Sequence, residues 1–310
     1  MVRIATNSAY SAVLANLTSA QRRQLDAGDR LASQKNGDEL KDFAKNAEML
    51  TAMRTVQTRT EGYLSQNILL TERLVAQDAA MNKMIDAVGR VRQRITDALA
   101  TNSGEGLMLE VEAEFRTAIS ALNSRFAGKP LFAGGQVADD PVTAQRLTEL
   151  TDPMNAIADF FRNDDFRVKA RLDDATVVTT GFLAEDLGTA MFEAFRDMQA
   201  FEEGPDGDFG GSLSQAQDDF LTAQLAAWDK VSDFLVDQAA RNGMVQKRVE
   251  DVARDLGRRR DMTESMIGSI ADADMAKAAA DLAQAEFSVQ AAAQVFTTLR
   301  ESSLLNVLRA

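Results

Sequence analysis

The stretch from Met53 to Ala98 constrains the fold most, because it sustains one apolar-biased seam with no proline to interrupt it. Steps of three and four residues link Met53, Val56, Thr60, Tyr63, Asn67, Leu70, Leu74, Gln77, Met81, Met84, Val88, Val91, Ile95 and Ala98. That is a heptad-like helix face. At about 1.5 Å rise per residue it predicts a rod of roughly 70 Å, which needs partners along its whole length. Thr60, Asn67 and Gln77 weaken the first half of the seam, and buried polar residues at such sites fix register at some cost in stability. The seam therefore predicts a bundle and not an isolated zipper.

A second seam runs through Val231, Leu235, Gln238, Asn242, Val245, Val249, Val252, Leu256, Arg259, Thr263, Met266 and Ile270, nearly matching the first in length. Between the two, Met108, Val111, Phe115, Ala118 and Leu122 repeat the three-four rhythm in a shorter helix that can fold back antiparallel. From Pro130 the pattern changes. All 4 prolines lie between residues 130 and 205, together with more than half of the 16 phenylalanines. Phe166, Val168, Ala170 and Leu172 alternate with Arg167, Lys169 and Arg171, the period of a half-buried strand, and 175–180 is β-branched enough to return beside it across Asp173-Asp174. Helical patterns at about 144–162 and 187–201 complete a small α+β head. Ser212 with Gln215 is a capping-box signature for the next helix, and Asp272 reads as the N-cap of the last.

The expected fold is mainly α: a long antiparallel helical bundle or coiled-coil rod formed by the two halves, with an inserted α+β head. Its segments are a terminal helix (1–42), rod helices (43–129), the head (130–211), a rod helix (212–270) and a closing helix (271–310). Expected rod-core residues are Met53, Val56, Leu70, Leu74, Met81, Met84, Val88, Val91, Ile95, Phe115, Val245, Val249, Val252 and Leu256. The terminal helices are patterned but thinly apolar, too weak to fold alone in water. They are expected either to pair with each other or to fold on binding further copies. Candidate assembly contacts there are Ile4, Val13, Leu17, Leu25 and Leu31 at one end and Leu282, Val289, Phe296, Leu299 and Leu304 at the other.

Composition narrows function. Cysteine and histidine are absent, which removes disulfides, thiolate metal sites and the usual neutral-pH general base. With 47 acidic against 34 basic residues and a net charge of −13, neither nucleic acid nor an anionic membrane is an expected partner. No segment has the apolar length of a membrane span, and the N-terminal segment lacks the apolar core of a cleaved signal peptide. The acidic doublets Asp139-Asp140, Asp164-Asp165 and Asp173-Asp174 read as solvated turns, since nothing follows them at metal-loop spacing. Arg258-Arg259-Arg260 reads as pairing with carboxylates on a neighbouring helix or subunit. No catalytic residue, cofactor or metal is expected.

Met1-Val2-Arg3-Ile4-Ala5-Thr6, the helix opening Asn7-Ser8, the run from Leu122 to Gly135 (LNSRFAGKPLFAGG), Ile270 to Ala276 (IADADMA) and Ala291 to Leu308 together resemble the flagellin family, most closely its members at the junction between hook and filament. The resemblance covers roughly 1–135 and 212–310, and none is found in the head. Where many flagellins carry an Asp-Asp-rich, glycine-containing stretch after the first helix, this chain has Gly37 to Phe43 (GDELKDF). The resemblance implies an extracellular structural subunit, exported through the flagellar type III apparatus without a cleaved signal peptide. It implies self-assembly into a ring between another hook-associated protein and flagellin, with a cytoplasmic export chaperone covering the C-terminal helix. Alternative readings are the filament flagellin and a cytoplasmic coiled-coil adaptor.

Overall fold

The structure, a computed structural model, describes residues 2–37 and 39–308, with side chains described at 11–37 and 39–299. Among the described residues it is mainly α. The helices are α1 (Val2–Ser33), α2 (Ala47–Thr101), α3 (Leu107–Leu122), α4 (Ala184–Glu202), α5 (Gln215–Ala271) and α6 (Met275–Leu308). Two short antiparallel hairpins accompany them, β1 (Arg125–Phe126) with β2 (Lys129–Pro130) and β3 (Lys169–Arg171) with β4 (Val177–Thr179). The chain divides into two compact units, Met1–Arg59 with Arg258–Ala310, and Thr60–Gly257. This division falls differently from the five segments read from sequence.

In the larger unit one hydrophobic core joins α2, α3, α4 and α5. It contains Met81, Met84, Val88, Val91 and Ile95 of α2, Leu107, Val111, Phe115 and Leu122 of α3, Phe192, Phe195 and Met198 of α4, and Leu221, Trp228, Val231 and Leu235 of α5. Phe115 is its hub. Its ring meets those of Phe192 and Phe195 edge-on at 5.2 and 5.1 Å, and Phe195 in turn meets Trp228 at 4.8 Å. Such edge-to-face pairs add to the stabilisation from burial alone. Segment 130–211 is thus built into the helical core through α4, although its composition reads as a separate head.

Several local expectations are corrected. Residues 144–162 form no α-helix but two 3-10 turns, Leu147–Thr151 and Ile157–Phe160. Pro153 between them lacks the N–H a continuous helix would need, and Asp152 instead accepts from the Met154 amide at 2.9 Å. The helix N-caps each lie two residues later than expected. Ser214 and Gln217 form the reciprocal capping box of α5, with Ser214 N donating to Gln217 Oε1 at 2.9 Å and Gln217 N to Ser214 Oγ at 3.3 Å. Asp274 caps α6 by accepting from Lys277 N at 3.1 Å. Phe166, expected on the inward face of its strand, is exposed, because the β3–β4 ladder pairs only from Lys169↔Thr179 to Arg171↔Val177.

The β1–β2 turn is made by Ala127 (φ 49°) and Gly128 (φ 78°), both left-handed. That matches the two-residue turn whose twist suits a hairpin. Glycine adopts it freely, whereas alanine does so at a cost.

Candidate assembly surface

In the smaller unit α1 and α6 pack against each other, running antiparallel. The inward positions of α1 are Val13, Leu17, Ala20, Gln24, Ala27 and Leu31, and those of α6 are Ala278, Leu282, Ala285, Val289, Ala292, Phe296 and Leu299. Both sets step by four and three, the spacing of a coiled-coil seam. Among the described residues of the pair only Ala20, Ala27, Ala278 and Ala285 are fully buried, while Val13, Leu17, Leu31, Leu282, Val289, Phe296 and Leu299 are half-buried. Alanines let the helices approach closely, yet each buries little more than one methyl group, about 0.8 kcal/mol. The pairing is correspondingly weak. Leu25 is 67% exposed and lies off the seam, with Leu14, Phe287 and Val295 also open to solvent. The side chains of Ile4 and Leu304 lie outside the described residues.

At the end of this helix pair the two chain breaks zip together. Asn36 N donates to the Ala271 carbonyl at 2.8 Å, and Ala273 N to the Gln34 carbonyl at 2.9 Å. The Asn36 side-chain amide donates to the carbonyls of Ile270 at 3.1 Å and Asp272 at 2.8 Å. One asparagine thus satisfies two carbonyls freed where α5 ends. The sequence marked both segments as turns but gave no sign that they meet.

The expected rod-core residues divide by position. Leu74, Met81, Met84, Val88, Val91, Ile95, Phe115, Val249, Val252 and Leu256 are buried, and Met53, Leu70 and Val245 half-buried. Val56 is 40% exposed. The half-buried position at that turn is Gln57, so the inward face steps from 53 to 57 to 60 and bypasses the apolar neighbour.

The polar seam members dock the β3–β4 hairpin. Asn67 Nδ2 donates to the Leu172 carbonyl and Gln77 Nε2 to the Thr180 carbonyl, both at 3.2 Å, and the Tyr63 hydroxyl lies 3.1 Å from an Asp174 carboxylate oxygen. Leu172, fully buried, packs in one cluster with Leu74 of α2 and Val249, Val252 and Leu256 of α5. From α5, Asn242 and Gln246 donate to the Leu74 carbonyl at 3.0 and 3.1 Å. Where α2 is too polar for an apolar partner helix, amide side chains hold a hairpin and α5 by their backbones.

Arginines on α2 clamp its neighbours. Arg90 makes a bidentate pair with Glu114 of α3 at 2.6 and 2.7 Å, which raises the guanidinium pKa through that hydrogen bond. Arg92 pairs with Asp229 of α5, and Arg94 with Glu110 of α3 at 3.3 Å. Arg73 differs. Its Nε is buried with no hydrogen-bond partner among the described residues, and burial lowers its pKa.

The acidic doublets serve turns and pairs. Asp140 pairs with Arg125 at 2.7 Å, Asp164 accepts from Gly135 N and Phe166 N, and Asp173 accepts from Ala175 N and Thr176 N. Arg260 pairs with the adjacent Asp261 at 2.7 Å. Among the described residues no cluster of three or more acidic groups could hold a metal ion, and no helix is long and apolar enough to cross a membrane.

Residues 225–308 match the bacterial flagellin C-terminal helical region. That span contains the C-terminal part of α5, the break and α6. A structure from Vibrio parahaemolyticus described as a flagellar hook-associated protein superposes with a TM-score of 0.62 at 11% identity, covering 74% of this chain and 100% of that one. FlgL of Bacillus cereus and FlgL of Xanthomonas campestris each superpose with a TM-score of 0.54 at 12% identity, covering 71% of this chain and 99% of theirs. At such identities the likeness establishes the fold alone. No curated protein matches by sequence. The C-terminal match, on a chain with this fold, supports the flagellin family and a flagellar structural role.

Proposed function

We propose that this chain is a non-enzymatic structural subunit of the bacterial flagellum that joins hook to filament, assembling through its terminal helices. The observation that carries the reading is the α1–α6 pair. It is a coiled-coil seam too poor in large buried side chains to be stable by itself, and α6 lies within the flagellin-type region. Such a pair gains most of its burial when further copies cover its outer faces, where Leu14, Leu25, Phe287 and Val295 stand exposed. Folding of the termini and polymerisation are then one process. The junction position, as against the filament, is favoured by the resemblance of Met1–Thr6 and of the run from Leu131 to Gly134, and by the hook-associated and FlgL structures sharing the fold. Ring formation beside another hook-associated protein and flagellin, chaperone cover of α6, and export without a cleaved signal belong to the same proposal.

Its test is Val13→Asp, Leu17→Asp or Phe296→Asp, each placing a carboxylate in the seam. Each variant is expected to abolish assembly, measured by sedimentation of the purified chain, because a charge in an apolar contact is strongly unfavourable. The Trp228 fluorescence of the other unit should stay native. Normal assembly by all three would refute the seam.

A further inference from the structure

In the larger unit a recess of about 360 Å³ opens between α2, the β1–β2 turn and the β3–β4 hairpin. Its walls are largely apolar, including Leu69, Leu70, Phe126, Leu131 and Val168. Leu69 is 57% exposed there. Into this surface projects Arg73, whose buried Nε has no acceptor among the described residues, and Lys129 stands at the rim. A buried donor without a partner is costly, and a guanidinium in an apolar recess is a site prepared for a carboxylate with an apolar companion.

The chain carries one exposed loop of that description. Met154, between the two 3-10 turns, is 88% exposed, and Asp152 beside it bonds only to Met154 N and the Asn155 side chain among the described residues, with no cation to neutralise it. Leu109, also well exposed, sits instead next to Glu110, which already pairs with Arg94, and exposed Phe166 is followed by basic Arg167. An unbranched methionine fills an irregular recess readily.

We propose that the Arg73 recess receives the Asp152–Met154 loop of a second copy of this chain, Met154 entering the apolar recess and the Asp152 carboxylate accepting from Arg73. Recess and loop are different surfaces, so the contact is head-to-tail, and repeated it closes into a ring or continues as a helix. The inference rests on the self-assembly reading above and adds to it a contact outside the terminal helices.

The experiment combines two variants and one cross-link. Arg73→Met removes the uncompensated charge. It is expected to leave the melting temperature of the dispersed chain unchanged or raised while weakening self-association at least tenfold in sedimentation equilibrium, a pairing of effects that a purely structural arginine would not give. Asp152→Asn should weaken association without altering the melting temperature. With a benzophenone amino acid at position 69, irradiation of the associated chain should capture the tryptic peptide 147–162. Capture of any other segment, or association unaffected by Arg73→Met, overturns the proposal. A wild-type chain that never associates would instead sink the assembly reading beneath it.

Discussion

Gly188 of α4 provides a sign test of the core. On helix propensity alone, Gly188→Ala should stabilise by about 1 kcal/mol. A Cβ at 188, however, would lie 2.7 Å from two atoms of the Phe161 ring and 3.2 Å from Leu122 Cδ1. Phe161 is buried and held against Phe192 with ring centroids 5.1 Å apart, so it has little room to yield. Overpacking of this kind costs about 1–3 kcal/mol, leaving a net loss of about 1 kcal/mol. Gly243 of α5 is the control, since a methyl group added there would meet no described atom within 4 Å, and Gly243→Ala should gain about 0.5–1 kcal/mol. Urea denaturation followed by Trp228, the sole tryptophan and fully buried, reads both. With a slope of about 2 kcal/mol/M the midpoints should move by roughly half a molar in opposite directions. Equal stabilisation by the two substitutions would refute the packing of segment 130–211 into the helical core.

Further outcomes follow from the same geometry. Ala127→Asn should raise the stability of the larger unit by about 0.5–1 kcal/mol in the same urea assay, because asparagine tolerates the left-handed backbone that alanine is forced to adopt. Hydrogen exchange of the dispersed chain should show the amides of α1 and α6 exchanging orders of magnitude faster than those of α3 and α4, since the pair buries four alanines where the bundle buries phenylalanines and a tryptophan. Strong protection of the terminal helices would contradict coupled folding and assembly.

What the sequence made legible was the periodic part. From Met81 to Ile95 every seam residue is large and apolar, and each is buried. Periodicity lost its hold where the inward residue is polar, as at Gln57, whose neighbour Val56 was the more apolar choice. The partners of Asn67 and Gln77 are backbone carbonyls, which leave no trace in side-chain pattern. The same holds for Asn36 and the zipped breaks. The caps were ambiguous for a simple reason: Ser212 and Ser214 each have a glutamine three residues on, and Asp272 and Asp274 precede the same helix. The preceding turn decides between them. Arg73 gave no signal at all, because an arginine on a helix is ordinarily solvated and only its surroundings show that this one is not.

The most direct measurement is gold labelling of intact, detached flagella with antibodies raised against residues 130–211. A single labelled band at the boundary of hook and filament is the expected result. Label distributed along the filament would make this a filament subunit, and label confined to the cell interior would contradict a flagellar role altogether.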